Sequence, residues 1–267
     1  MRWLAPLALI ALDAVAACDP APRDPPRTLC DGSAGVRLAM QASGGGPIEP
    51  RSQLLHEDGA FFLFVDGTCH FYVRPSQDLW AAVHTGTLDA ATAAELSADL
   101  RYDAWPRLAG SHGVSPPDAG NLVFHDGVNV VSCGGDCTSG DDTELRGQLD
   151  RSVDWVDRLY AAGIPVDGAV RLAVFALDPN EQVPIGIEPT PWPLAAPLAS
   201  LDGTSVRVDA AADVTALRAA RAHYAATDAW GNTLRYLPFS QNDTTYAVIL
   251  RDTVPFEDAD GRVPFPD

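Results

Sequence analysis

The chain has 267 residues and a formal net charge of −18, and all eighteen of its basic residues are Arg. This acidic balance argues against a nucleic-acid-binding protein, because such proteins depend on basic residues that neutralise phosphates. The absence of Lys excludes Schiff-base catalysis, Ser-Lys hydrolytic dyads and phosphate-binding loops of the Walker type.

The first eighteen residues have the pattern of an export signal. A basic residue and an apolar stretch, residues 2–12, come before the small residues that precede Cys18. This order predicts a signal peptide over residues 1–17 and not a membrane span. The sequence V-A-A-C at 15–18 resembles the lipobox of bacterial lipoproteins. That resemblance implies that Cys18 is lipidated and becomes the first residue of a mature chain anchored in the cell envelope.

Two features of this segment leave alternatives open. Asp13 lies in the stretch that should be apolar, where an acid is costly. Cleavage near Ala16 or Ala17 by the ordinary route would give a secreted protein with Cys18 as a free thiol. Asp19 resembles the inner-membrane retention signal of enteric lipoproteins. That sorting rule is not general, so the choice between inner and outer membrane stays open.

Residues 18–33 follow as a Pro-rich segment. Prolines at this density favour an extended, semi-rigid chain over packed structure. We therefore expect a lipid anchor and tether over residues 18–33. Lipobox processing attaches more than one acyl chain, which is the number needed for stable attachment to a bilayer.

Residues 34–164 are expected to form a domain of hairpins and helices. Asp-Gly at 66–67 and at 126–127 stands between apolar runs and predicts two hairpins with type I′ turns. A helix is expected after each hairpin, near residues 88–100 with Asp89 as its cap and over 142–162. The second helix has an apolar stripe at spacings of three and four, formed by Leu145, Leu149, Val153, Val156 and Tyr160.

Residues 165–267 are expected to form a second α+β subdomain, with one continuous domain as a close alternative. We predict a central strand at 170–177, strands at 204–208, 234–237 and 246–250, and a helix over 213–226 capped by Asp213. Trp192 is the expected anchor of a Pro-rich segment. The predicted fold class is α+β, with mainly antiparallel sheets built from Asp-Gly hairpins and helices packed on one face.

The chain has five cysteines, an odd number for an exported protein. Lipidation of Cys18 would leave Cys30, Cys69, Cys133 and Cys137, which can pair in three ways. We favour disulfides 30–69 and 133–137, because the last two cysteines flank a Gly-rich turn. A redox pair or a metal site at C-G-G-D-C is the alternative, but the pair has three spacers and lacks nearby ligands.

One acidic cluster resembles part of a calcium-binding loop. Asp252, Glu257, Asp258 and Asp260 lie in the sequence D-T-V-P-F-E-D-A-D-G-R, where Asp-x-Asp-Gly combines hard oxygen ligands with a turn. The segment lacks the third Asp and the closing Glu of a full EF-hand loop. It is therefore a weak Ca²⁺ candidate, with a solvated acidic tail as the alternative. No other cofactor is expected.

The sequence contains no motif that names an activity. The six histidines form no H-E-x-x-H pattern, and no Ser lies in G-x-S-x-G. We expect a non-catalytic binding or interaction module whose partner is an envelope or extracellular protein or ligand. The membrane would be reached through lipid alone, and no nucleic acid would bind. A hydrolase assembled from distant residues and a purely structural envelope component remain as alternatives.

Overall fold

The computed structural model describes residues 27–43, 62–75, 81–113, 121–134, 145–178, 183, 187–227 and 236–257. The predicted signal peptide and the tether as far as residue 26 lie outside these ranges. The described residues form four α-helices and thirteen strands in two mostly antiparallel sheets, which confirms the α+β class. None of the described helices has both the length and the apolar character needed to cross a bilayer.

The first sheet has eight strands in the order β5-β7-β6-β1-β2-β3-β4-β8. All neighbours are antiparallel except β5 and β7. The two predicted hairpins are confirmed as β2–β3 and β6–β7, and they lie on either side of β1. The strands are β1 Val36–Ser43, β2 Phe62–Asp66, β3 His70–Arg74, β4 His84–Thr87, β5 Gly110–His112, β6 Asn121–His125, β7 Val130–Gly134 and β8 Ile164–Pro165.

The turns of these hairpins are longer than predicted. In the first hairpin the N–H of Cys69 donates to the carbonyl of Asp66 at 3.0 Å, and Cys69, not Gly67, has the left-handed conformation (φ 69°). The carboxylate of Asp66 also accepts from the N–H groups of Thr68 and His70, at 2.8 and 3.0 Å. The predicted two-residue type I′ turn is therefore wrong, because the Asp66 side chain organises a wider loop.

The strand register gives the first sheet two distinct ends. Val36 lies opposite Asp66, and Ala39 lies opposite His125, so the start of β1 and both hairpin turns are at one end. We name this the tether end, because the N-terminal segment joins the sheet there. At the other end, the distal end, Ser43 lies opposite Asn121.

Three helices follow strands of this sheet: α1 Ala90–Asp99, α2 Trp105–Leu108 and α3 Gln148–Ala162. The predicted cap of α1 is confirmed, since the N–H of Thr92 donates to the Asp89 side chain at 2.7 Å. The predicted end of α3 is also confirmed at Gly163, whose N–H donates to Leu159. Residues 142–144 of the predicted second helix lie outside the described residues, and the helix begins at Gln148.

The buried face of α3 differs from the predicted stripe. Val153 is 36 % exposed, whereas Trp155 and Leu159 are buried. The indole Nε1 of Trp155 also donates to Asp99 Oδ2 at 3.0 Å. Burial of an indole and a Leu side chain removes more apolar surface from water than burial of one Val, so the helix is turned toward the larger side chains.

The second sheet has five strands in the order β10-β12-β13-β9-β11. The strand predicted at 170–177 is confirmed as central, because β9 pairs with both β13 and β11. The strand predicted at 234–237 is wrong in position, since β12 begins at Leu237; residues 234 and 235 lie outside the described residues. The strands are β9 Val170–Ala176, β10 Thr190–Pro191, β11 Thr204–Val208, β12 Leu237–Gln241 and β13 Thr244–Asp252.

Helix α4, Ala211–Thr227, covers this sheet with Val214, Leu217 and Tyr224 in the shared core. The predicted cap Asp213 is wrong. The alanines before it are strong helix formers, so the helix begins two residues earlier. Asp213 therefore lies in the first turn, where its charge is favourable to the helix dipole.

Trp192 is an anchor as predicted. Its side chain is buried against Phe239 with ring centroids 5.0 Å apart, and its Nε1 donates to the carbonyl of Ala196 at 2.7 Å. The Pro-rich segment around Trp192 is thereby fixed to the second sheet.

The chain passes from the first sheet to the second between Pro165 and Val170. Each sheet has its own apolar core. A third cluster, which includes Phe64, Val83 and Val254, joins residues from both halves. The ring of Phe256 also packs edge-on against Tyr72 at 5.7 Å. These contacts connect the halves, and the predicted division at residue 165 stays a prediction.

Candidate functional site

The described part of the chain begins with a cluster that fastens the N-terminal segment to the tether end. The backbone N–H of Arg27 donates to Asp103 Oδ1 at 2.7 Å, and its guanidinium lies 2.6 Å from Asp126 Oδ2. The same guanidinium lies over the ring of Tyr102, 4.2 Å from the centroid. We name Arg27, Tyr102, Asp103 and Asp126 the N-terminal clamp. The clamp fixes residue 27, where the described part of the chain begins, on the first sheet.

Asp126 is the buried acid of the clamp. Burial raises its pKa, but hydrogen bonds from Asn129 and Val128 and the contact with Arg27 outweigh this effect, so the pKa lies below its usual value. The carboxylate is therefore ionised at neutral pH and keeps its ion pair with Arg27. Leu29, two residues after Arg27, is buried in the first core.

His125 lies beside the clamp and is neutral at pH 7. The side chain is buried, and its Nδ1 accepts a hydrogen bond from the N–H of Gly127 at 3.1 Å. Burial lowers the pKa of His125 to about 4, although the charge of Asp126 opposes this effect. His125 thus supports the β6–β7 turn, and its protonation state does not change near neutral pH.

Stability should therefore fall on acidification through His125. Between pH 6.5 and about pH 4 the unfolded chain binds a proton at this residue and the folded chain does not. The free energy of unfolding should thus decrease by about 3 kcal/mol over this window as the pH falls. His125→Asn keeps an acceptor for Gly127 and removes the titration, so urea unfolding of this variant should lose about 3 kcal/mol less over the same window.

Parallel unfolding curves for wild type and His125→Asn over this pH window would contradict the assignment of His125 as a buried neutral group.

A second cluster joins α4 to the junction between the sheets. Asp252, at the end of β13, is buried, and its Oδ1 accepts from Arg218 Nε and Nη2 at 3.0 and 2.8 Å. Its Oδ2 accepts from Arg221 Nη1 at 2.9 Å and from the backbone N–H of Val83 at 3.1 Å. We name Asp252, Arg218 and Arg221 the Asp252 network. It holds α4, the second sheet and the segment before β4 together.

Glu257 forms a similar cluster with Arg171 and Arg251. Its Oε1 accepts from Arg251 Nη1 at 2.5 Å and from the N–H of Val254 at 2.9 Å. Its Oε2 lies 3.5 Å from Arg171 Nε. Arg171 and Arg251 face each other across β9 and β13, so one buried carboxylate lies between two cross-strand guanidinium groups. Like charges opposite each other on a sheet repel, and Glu257 offsets that repulsion.

These clusters show where two of the four calcium candidates lie. Asp252 and Glu257 are both bound by arginines, and Asp258 and Asp260 lie outside the described residues. Among the described residues, no group of three or more His, Cys, Asp or Glu could hold a metal ion. The calcium loop as a whole stays a prediction, but the oxygens of Asp252 already accept four hydrogen bonds.

The cysteines are partly placed. Cys30 and Cys69 form a disulfide with their Cα atoms 5.0 Å apart, as predicted, and it ties the N-terminal segment to the first hairpin turn. Cys133 is also disulfide-bonded. Its partner lies outside the described residues, as do Cys18 and Cys137, so the 133–137 pairing stays a prediction.

One Thr-His contact bears on the hydrolase alternative. Thr68 Oγ1 lies 2.9 Å from His70 Nδ1, and it lies 2.7 Å from Asp66 Oδ1. A catalytic triad would place the acid on the histidine, whereas here the acid accepts the proton of the hydroxyl. The hydroxyl oxygen is then left to accept from the ring, so His70 does not act as its base. This exposed contact stabilises the turn.

Sequence reasoning missed both the clamp and the Asp252 network. Arg221 lies four residues after Leu217, on the same helix face, and this spacing is the one signal that could have indicated a buried arginine. Nothing local to Arg27 indicates contacts with residues 102, 103 and 126. No protein family, curated protein or solved structure matches the chain significantly.

Proposed function

We propose that the protein is an envelope-anchored lipoprotein whose folded body is a non-catalytic binding or interaction module. The main support for the lipid anchor is that three of the five cysteines are in disulfides. With Cys30 bonded to Cys69 and Cys133 in a disulfide, the two other cysteines are Cys18 and Cys137. A bond from Cys133 to its close sequence neighbour Cys137 leaves Cys18 for the lipid.

Two further observations support this location. Disulfides form and persist mainly outside the cytosol, so they fit an exported chain. The N-terminal clamp ends the tether at a fixed point on the body, which is the arrangement that an anchored domain needs. Whether the anchor is in the inner or the outer membrane is left open by Asp19.

The proposal of a binding module rests on how the ionisable groups are used. Asp126, Asp252 and Glu257 are buried acids, and each is paired with arginine. His84 Nδ1 lies 2.7 Å from the carbonyl of Tyr160, and its ring stacks on Tyr160. These described groups hold elements of the fold together, whereas a catalytic site leaves titratable groups available to a substrate.

The anchor is tested by Cys18→Ser in the full chain expressed in a bacterial host with lipoprotein processing. Metabolic labelling with a radioactive fatty acid should label wild type, and Cys18→Ser should not be labelled, because no acyl chain is attached. Asp19→Ala is the matched control and should be labelled like wild type, since it changes at most which membrane is reached. Fatty-acid labelling of Cys18→Ser equal to that of wild type would count against the proposal.

The non-catalytic body is tested with a fluorophosphonate probe, which reacts with activated serine nucleophiles. Purified wild-type protein should not be labelled at any Ser above the level seen for unfolded protein. Stoichiometric labelling of one Ser in the folded protein would overturn this part of the proposal and favour the hydrolase alternative.

A further inference from the structure

The N-terminal clamp determines which end of the body lies near the bilayer. We infer that the tether end of the first sheet faces the lipid surface and that Val128, in the β6–β7 turn, contacts it. This inference rests on the proposed lipidation of Cys18. It adds a protein contact to a membrane attachment otherwise made by lipid alone.

The length of the tether determines which end of the first sheet can lie near the bilayer. Nine residue steps separate Cys18 from Arg27, which span roughly 28 Å at about 3.1 Å per residue for an extended Pro-rich chain. Strand β1 has eight residues and is roughly 26 Å long at about 3.3 Å per residue. To bring the distal end to the bilayer, the tether would have to run back along the whole sheet, fully extended. The tether end is therefore the one held near the lipid.

The geometry of the β6–β7 turn holds the side chain of Val128 toward the outside. The carboxylate of Asp126 accepts from the N–H groups of Val128 and Asn129 at 2.9 and 2.7 Å, and Gly127 has the left-handed conformation (φ 87°). These bonds fix the turn with Val128 pointing outward, 82 % exposed. An apolar side chain is thus presented at the end that the tether holds close to the lipid.

The local charge of the β6–β7 turn differs from that of the whole chain. The chain as a whole is strongly acidic, which opposes contact with anionic headgroups. The β6–β7 turn differs, because the charge of Asp126 is paired with Arg27 and the other turn residues, 127–129, are uncharged. This turn therefore adds no net charge of its own to the contact with the headgroups.

A single exposed apolar residue is ordinary on a protein surface, so the position of Val128 decides its role. Ile164 provides the comparison. It is 69 % exposed but lies in β8, at the edge of the sheet and opposite Thr85 of β4. The two residues are similar in exposure and character and differ in position, because β8 lies five strands away from β6 in the sheet.

The test compares Val128→Trp with Ile164→Trp in the full chain, expressed with its own signal and reconstituted into phosphatidylcholine vesicles with or without brominated acyl chains. Bromine quenches indole fluorescence at short range, and the emission of the native tryptophans is subtracted using the wild-type protein. The added emission of Val128→Trp should shift to shorter wavelength and be quenched by brominated lipid. That of Ile164→Trp should do neither.

Flotation of the same samples with the vesicles distinguishes a wrong orientation of the body from a missing lipid anchor. If both variants float and neither is quenched, if both are quenched equally, or if only Ile164→Trp is quenched, the orientation is wrong and the lipid anchor stands. If neither variant floats, the lipid anchor fails and the inferred orientation fails with it.

Discussion

Asp252→Ala should lower the free energy of unfolding by about 3–5 kcal/mol, the range found when one partner of a buried ion pair is removed. The substitution leaves the guanidinium groups of Arg218 and Arg221 facing a site without an anion. It also removes the acceptor for the backbone N–H of Val83. Urea unfolding followed by circular dichroism measures the loss, and amide exchange at Val83 should accelerate at the same time.

The matched control is the exposed pair of Arg207 and Asp209, whose side chains approach to 2.9 Å. Asp209→Ala should cost at most about 1 kcal/mol, because an exposed pair is screened by water. Asp252→Leu combined with Arg218→Met and Arg221→Met should recover much of the loss, since it removes the unpaired charges together. A cost for Asp252→Ala no larger than that for Asp209→Ala would contradict the structural role of the Asp252 network.

Loss of the Cys30–Cys69 disulfide should cost about 4 kcal/mol. The bond spans 39 residues of sequence, and the chain-entropy estimate for closing a loop of this size gives that value. The double variant Cys30→Ala and Cys69→Ala removes the bond without leaving an unpaired thiol at either position. Urea unfolding under non-oxidising and oxidising conditions measures the change.

Reduction of the wild type provides the comparison. Thiol reductant should destabilise wild type by at least as much as the double substitution does, because it also opens the disulfide of Cys133. In the double variant, reductant should act only through that remaining bond. If the double variant and oxidised wild type unfold at the same urea concentration, the disulfide has no stabilising role.

Most of the local structure of this fold could be predicted from the sequence. The cap at Asp89, the end of α3 at Gly163 and the central strand β9 each follow from nearby residues, and all were confirmed. Both hairpins were also predicted, although the Asp66 carboxylate changes the turn. The helix start at Asp213 was wrong, because the alanines before it extend the helix.

The arrangement of these elements could not be predicted in the same way. Nothing in the sequence indicates that the two hairpins lie on either side of β1. The contact of Val83 with Asp252 joins residues 169 positions apart. Buried arginines resemble surface arginines in a sequence, and the rotation of α3 toward Trp155 depends on the sheet beneath it. These features follow from tertiary packing and not from periodicity.

The candidate site shows the same division. The Cys30–Cys69 pair was predicted from the number and spacing of the cysteines, and it is present. The N-terminal clamp required knowledge of where Tyr102, Asp103 and Asp126 lie in space. The acidic cluster at the C-terminal end of β13 was interpreted as a possible cation site, but Asp252 and Glu257 are held by arginines.

Mass spectrometry of the natively expressed, unreduced protein decides whether Cys18 is lipidated. We expect an N-terminal peptide that begins at Cys18 and has the added mass of a diacylglycerol, together with peptides linked 30–69 and 133–137. An N-terminal peptide with an unmodified Cys18 thiol, one that retains Met1, or one in which Cys18 is disulfide-bonded would contradict it.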